Sequence, residues 1–277
     1  MAEYYSTRHI AQRQRAYVKA ESRRIRLAGV RAKAVVFYKS DSVPMPYLRA
    51  FSWADITVVM IKLKKTEDGY SSLQKHISDN SVHGIIIADE SEREMHAMRN
   101  MLPPEKDVLC EGAGAVAAAL CSVQGAYKPC FSDAVMRMMR YSAVEYSGKH
   151  IALFGVGNTV RALGFMLMNA GSHVSLCPTA NAESMRISER ADIIITKLDM
   201  PNSINAAFMN EKQTIIDLGY NTAPNGKVSG DVVLRDAEKF VKAIFIGQEN
   251  AFFELADYIA AEHVLRSAAI SMIRERK

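Results

Sequence analysis

Short apolar runs alternate with stretches of helical spacing along most of this 277-residue chain. Residues 34–38, 56–61, 84–87, 151–154, 174–176, 193–195, 214–218 and 243–246 are almost continuously apolar and predict strands. Residues 73–80, 161–170 and 251–273 place apolar side chains three and four apart and predict helices. Strands apolar on both faces, separated by helices, predict a parallel sheet covered on both sides, an α/β architecture. Tyr127-Lys128-Pro129 and Ser147-Gly148 punctuate the chain before the strand at 151. Two lobes are therefore expected, dividing between residues 120 and 148.

The N-terminal segment also has helical spacing, with Ile10, Tyr17, Val18 and Ile25 on one face and Gly29 as terminator. It holds the chain's positive charge. The net charge is +5, yet residues 1–33 carry nine basic residues (Arg8, Arg13, Arg15, Lys19, Arg23, Arg24, Arg26, Arg31, Lys33) against Glu3 and Glu21, a local +7. The remainder, with 26 basic and 28 acidic residues, is slightly acidic. A basic helix could touch nucleic acid or acidic lipid, but no stacking pattern accompanies it, so a solvated outer face is expected and nucleic acid is not.

A content of 49% apolar and 23% charged residues excludes a disordered chain, and the length buries roughly three quarters of the unfolded surface. No run approaches the ~18 apolar residues of a membrane span. The first ten residues lack a signal-peptide core, which points to the cytoplasm. Cys110, Cys121, Cys130 and Cys177 show no metal-ligand spacing and read as reduced thiols. No metal centre is expected.

The sharpest local signal is Ile151-Ala152-Leu153-Phe154-Gly155-Val156-Gly157-Asn158-Thr159-Val160-Arg161. A strand enters Gly-x-Gly and continues into a helix. The first glycine permits a tight turn and the second lets a phosphate reach backbone N–H groups. The usual third glycine is replaced by Val160. About twenty residues on, where an acid would hold a ribose hydroxyl, Pro178-Thr179-Ala180-Asn181 offers neither acid nor arginine. Preference between NAD and NADP stays open.

Further motifs narrow the reading. Ile215-Ile216-Asp217-Leu218-Gly219-Tyr220-Asn221 is followed by Gly226-Lys227-Val228-Ser229-Gly230-Asp231-Val232. With the Gly155 loop, Pro129-Cys130 and Pro104-Glu105-Lys106-Asp107-Val108, the chain resembles the bifunctional methylenetetrahydrofolate dehydrogenase/cyclohydrolase (FolD) family over nearly its whole length. The resemblance implies a first lobe of residues 1–120 completed by a terminal helix at 250–277, and a Rossmann-type lobe at 121–249. It implies an NAD or NADP site at Gly155, Val156, Gly157, Asn158, Thr159 and Arg161, with Thr179, Gly219 and Tyr220 beside it. A small-molecule substrate of the tetrahydrofolate class and a homodimer are implied too.

The same resemblance exposes losses. The family's Tyr-x-x-x-Lys is Tyr47-Leu48-Arg49-Ala50-Phe51 here, keeping the tyrosine as a catalytic candidate but putting a phenyl ring where a lysine assists proton transfer. Ala88 stands for the glutamine beside that lysine, and Leu109 for the carboxylate that holds the pterin. The loop lining the family's cleft is replaced by Gln248-Glu249-Asn250-Ala251-Phe252-Phe253. Cyclohydrolase chemistry is therefore not expected, whereas hydride transfer depends more on positioning than on a protein base. The alternative is a non-catalytic nucleotide-binding or scaffold homologue. Arg49, Asp89, Glu90 and Glu249 are left open as replacements for the lost groups. Lys197-Leu198-Asp199 at a strand end reads equally as an exposed ion pair or as a new polar ligand contact.

Overall fold

The computed structural model describes residues 2–41, 45–63, 66–88, 93–247 and 250–275. In chain order its elements are β1 (Glu3–Tyr5), α1 (Arg8–Leu27), β2 (Lys33–Tyr38), α2 (Tyr47–Trp53), β3 (Thr57–Lys62), α3 (Thr66–Ser78), β4 (Gly84–Ile87), α4 (Arg93–Asn100), α5 (Ala113–Leu120) and α6 (Cys130–Tyr141). They continue with β5 (His150–Gly155), α7 (Asn158–Asn169), β6 (His173–Cys177), α8 (Ala182–Ser188), β7 (Ile193–Lys197), a 3₁₀ turn at Ala206–Phe208, β8 (Thr214–Asp217), β9 (Asn221–Thr222), β10 (Val228–Ser229), α9 (Leu234–Phe240), β11 (Ala243–Ile246) and α10 (Asn250–Glu275). This is a mixed α/β protein with mainly parallel sheets.

The chain forms two compact units. One comprises Met1–Ile10 and Phe131–Phe253; the other comprises Ala11–Cys130 and Glu254–Lys277. The first is built on a six-stranded sheet of order β1-β11-β8-β7-β5-β6, parallel at every pairing. Its four inner strands, β11, β8, β7 and β5, are fully buried at their centres, as with Ile151, Leu153, Ile194, Ile215 and Ile244, because helices cover a parallel sheet on both faces. The short antiparallel pair β9–β10 belongs to the same unit. The second unit has a three-stranded parallel sheet, β3-β2-β4, with Val35, Phe37, Leu73, Ile85, Met95 and Met98 in its core.

Residues 1–10 were expected with the first lobe, yet β1 pairs with β11 at the edge of the six-stranded sheet. Three residues, Glu3-Tyr4-Tyr5, are too few to show strand periodicity, and an edge strand needs only one partner.

The basic segment is a helix that stops at Gly29, whose φ of +88° is a left-handed conformation that glycine adopts without a Cβ clash. Its buried stripe is Ile10, Gln14, Val18, Ser22 and Ile25; Tyr17, expected on that face, is half exposed. It precedes Val18 by one position, about 100° round the helix, which carries it off the stripe. Arg8, Arg13, Lys19, Arg23, Arg24 and Arg26 are exposed. Some of that charge is engaged locally: Lys19 and Arg26 pair with Asp55 at 3.1 and 3.7 Å, and the Arg15 guanidinium stacks 3.6 Å over Trp53. Cys110, Cys130 and Cys177 are buried free thiols and Cys121 is exposed. Among the described residues no helix is long and apolar enough to cross a membrane.

Candidate functional site

In the six-stranded unit, β6 lies on one side of β5 and β7 on the other, although β7 follows β6 in sequence. The strand order reverses at β5, and ligands of open parallel sheets bind at the carboxyl ends of such strands. Gly155 ends β5 there, opposite Lys197 of β7. Its φ is +135°, and a Cβ would overlap the Lys197 carbonyl oxygen. Only glycine fits. Gly157 has φ +95° but open space where its Cβ would be, so its role is conformational and it leaves the approach to α7 clear.

The first turn of α7 carries no side-chain cap. Asn158 is exposed and Thr159 half-buried, while the Thr159 carbonyl accepts a 3.0 Å hydrogen bond from Ser132 Oγ, which ties the turn to α6. A twelve-residue helix with uncapped N–H groups behind a glycine turn suits an anion. Val156 and Arg161 are exposed beside it. Val160 fills the place of the third glycine; its methyl would touch a Cβ on Gly155 at 3.1 Å. Gly164, one turn on, supplies the close approach instead, with Leu153 and Leu176 at 3.4 and 3.2 Å from where its Cβ would stand.

Thr179 follows β6, exposed, and its hydroxyl accepts from Asn181 Nδ2 at 3.0 Å. Asn181 in turn caps α8 through Glu183 and Ser184 N–H groups. These side chains are committed to each other. Gly219 and Tyr220 follow β8. A Cβ on Gly219 would overlap the Asp231 carboxylate, so this glycine is required by packing. Tyr220 is exposed, with its ring edge-on to Phe253 at 5.5 Å.

The two motif aspartates hold this edge of the sheet together. Asp217 accepts N–H bonds from Gly219 (3.0 Å), Asp231 (3.1 Å) and Val232 (3.2 Å). Burial nevertheless pushes its carboxyl up to about 6, against those N–H bonds. Asp231, fully buried, accepts from Thr196 Oγ1, Leu198 N, Met200 N and Asn221 Nδ2 at 2.7–3.1 Å. The pair fixes the β7 and β8 ends. Lys197 pairs with Asp199, and Asp199 also accepts weakly from the Tyr220 N–H at 3.4 Å. The strand-end ion pair therefore links the loops after β7 and β8.

Tyr47 lies in the other unit, at the start of α2, buried, with its hydroxyl unpartnered among the described residues. Burial raises its pKa first, and the Glu111 and Asp257 charges add to that. Phe51 is fully buried with its ring 5.6 Å from that of Tyr47. Ala88 follows β4 and Leu109 is half-buried. Arg49 is exposed and pairs with Glu254 at 3.8 Å. Asp89, Glu90 and Glu249 lie outside the described residues. Asp257 on α10 escaped the sequence reading, because one acid in a helix ordinarily reads as solvated; its place between Ala256 and Tyr258 was the available signal.

The same unit contains a cavity of ≈ 370 Å³ lined by His83, Lys106, Ser267 and Ser271 among others. Its lysine and histidine are already committed. Lys106 Nζ donates to the carbonyls of Ile77 and Asp79, and His83 bonds Lys33 N and Ser271.

Residues 129–246 match the family model described as tetrahydrofolate dehydrogenase/cyclohydrolase, NAD(P)-binding domain. The bifunctional protein FolD of Helicobacter pylori is 25% identical over 173 residues, which is 61% of this chain and 59% of that protein. The matched stretch thus spans less than two thirds of that relative. FolD of Bacillus cereus is 25% identical over 80% of this chain and 82% of its own. The crystal structure of the bifunctional FolD enzyme from Campylobacter jejuni superposes with a TM-score of 0.89 at 19% identity, covering 98% of this chain and 99% of that one.

Proposed function

From its place as a divergent member of the methylenetetrahydrofolate dehydrogenase/cyclohydrolase family, we propose that this protein binds NAD or NADP and acts as a dehydrogenase on a folate-type one-carbon substrate. The observation that carries the reading is the uncapped N-terminus of α7 behind Gly155-Val156-Gly157, at the strand-order reversal of a parallel sheet. The residues fit a dinucleotide. Gly157 leaves the helix end open, the N–H groups of the first turn suit a pyrophosphate, and Arg161 adds a cation nearby. When bound, the nicotinamide supplies the hydride acceptor. The chain's own part is to orient the dinucleotide on the Gly155 turn, with Thr179, Gly219 and Tyr220 at the adjoining strand ends.

Ordinary cyclohydrolase chemistry is not part of the proposal. Phe51 is fully buried and can neither donate nor accept a proton, and Ala88 and Leu109 offer no polar replacement at their positions. The buried Phe51 equally favours a second reading, a nucleotide-binding homologue that has lost folate chemistry. A homodimer is proposed on family grounds alone.

Thermal unfolding with NAD, NADP and tetrahydrofolate separates the readings. A ligand at a hundred times its Kd adds about 2.7 kcal/mol to the native state. Shifts of several degrees with a nucleotide and with tetrahydrofolate are expected, together with reduction of the nucleotide in the presence of methylenetetrahydrofolate. No shift with either nucleotide sinks the proposal; a nucleotide shift without a folate shift leaves the second reading.

A further inference from the structure

Lys197 ends β7 in register with Gly155, the last residue of β5. Neighbouring strands run about 4.8 Å apart, so the lysine backbone adjoins the glycine turn. The face it points to is fixed by the residues before it. Leu153 of β5 stands 3.4 Å from where a Cβ on Gly164 of α7 would lie, so Leu153 faces that helix. Ile195 is in register with Leu153, and Lys197, two positions on, returns to the same face. The lysine therefore projects from the carboxyl end of β7 on the α7 side of the sheet, beside the Gly155 turn.

A lysine at a strand end ordinarily extends its head into solvent. The Lys197 side chain is only 25% exposed and turns back to pair with Asp199, two residues on. Asp199 has φ +55°, a left-handed conformation that Asp and Asn adopt more readily than other side chains. The backbone around both is held by Asp231, which accepts from Thr196 Oγ1 at 2.9 Å, Leu198 N at 2.7 Å and Met200 N at 2.9 Å. The ammonium is thus delivered to a defined place. The carboxylate that holds it is half exposed, and such a pair contributes little and exchanges readily with another anion.

We infer that Lys197 is a phosphate ligand of the dinucleotide site, held on Asp199 until the pyrophosphate takes the ammonium over. This rests on the nucleotide reading above. On that reading the pyrophosphate sits at the N-terminus of α7, and the adenosine ribose belongs about twenty residues after the turn, at the end of β6. β7 flanks β5 on the opposite side from β6. Lys197 therefore meets the phosphate that carries the nicotinamide half. Its Nζ has donors and no acceptor, which suits a non-bridging phosphate oxygen. It leaves Asp199 Oδ1 and donates to that oxygen; no covalent bond changes. Arg161 supplies a cation from the helix, and Lys197 supplies one from the sheet edge.

Calorimetry on the full chain with NAD, NADP, ADP-ribose and AMP tests the assignment. Neither side chain belongs to the core, so both variants below should unfold at the wild-type urea midpoint. Lys197→Met should bind the dinucleotide and ADP-ribose about tenfold more weakly than wild type. AMP lacks the second phosphate, so its affinity should stay within about twofold. Added salt should weaken dinucleotide binding more steeply in wild type than in Lys197→Met. Asp199→Asn keeps a residue suited to the left-handed turn and should bind the dinucleotide a few-fold more tightly, because the ammonium no longer has to leave a carboxylate. Equal dinucleotide affinity of Lys197→Met and wild type overturns the inference and leaves only an ion pair. An equal loss for AMP overturns it as well, since that marks a disturbed site, and so does weaker binding by Asp199→Asn. If wild type binds neither NAD nor NADP, the nucleotide reading itself fails and takes the inference with it.

Discussion

A carboxyl that stays protonated in the folded chain but ionises in the unfolded one makes stability depend on pH, and Asp257 is such a group. Its folded pKa is pushed up to about 7 by burial and Glu254, against ~3.9 unfolded. Between those values the unfolded state has lost the proton and the native state still holds it. Stability therefore falls as pH rises from about 4 to about 7, and the penalty is fully present above. Asp257→Asn removes it. After discounting for partial exposure, urea unfolding should find the variant about 1–2 kcal/mol more stable than wild type at pH 8 and equal near pH 4. A gap that does not change with pH would sink the assignment. Asp231 has a structural role: its carboxylate serves four donors in a fully buried site. Asp231→Ala should cost about 3 kcal/mol or more, since it strands those donors. Gly219→Ala should cost about 2 kcal/mol through overlap with the same carboxylate. Equal stability of either variant with wild type would show that the motif is not structural.

At the scale of elements, the glycine turn separates conformation from space. Gly155 and Gly157 both have positive φ, but only Gly155 is crowded, by the Lys197 carbonyl. Gly155→Ala should lose about 3 kcal/mol of stability from strain and overlap together. Gly157→Ala should lose about 1–2 kcal/mol from strain alone and, by setting a methyl before α7, weaken NAD or NADP binding about tenfold. Denaturation and calorimetry on the two variants decide it; equal stability losses would remove the distinction. This turn was legible because the strand, Gly-x-Gly and helix follow one another in sequence. So were the buried strands: β4 and β11 begin and end where the apolar runs at 84–87 and 243–246 predicted. Other elements leave weaker traces. The α5 segment Ala113–Leu120 is almost uniformly small and apolar, so it has no face to detect. For α8 the capping box pairs Asn181 with Ser184 rather than with the usual Glu or Gln, hiding its start. Asp257 was illegible for a different reason: its charge acts on Tyr47 of α2, which is far from it in sequence and brought near only by folding.

Across the whole molecule, the two units resemble the FolD pattern to different degrees. The six-stranded unit retains the glycine turn, Gly219 and the Asp217–Asp231 network, whereas Phe51, Ala88 and Leu109 all fall in the three-stranded unit. Phe51 is not a gap in the packing. Its side chain is fully buried and packs on Tyr47, so the core has closed around it. Placing a lysine there with Phe51→Lys would bury an ammonium group in apolar packing, at a cost of about 3–5 kcal/mol unless the lysine is neutral. Asp257, whose charge acts on the neighbouring Tyr47 hydroxyl, is the candidate counter-charge, which makes the double variant informative. Phe51→Lys should unfold at lower urea than wild type, gain no cyclohydrolase activity with methenyltetrahydrofolate, and still bind NAD or NADP. Adding Asp257→Asn should deepen the loss if the lysine had been leaning on that carboxylate. Recovery of cyclohydrolase turnover by Phe51→Lys alone would show that the pocket is still built for the family's chemistry, and that the lysine was the one part missing.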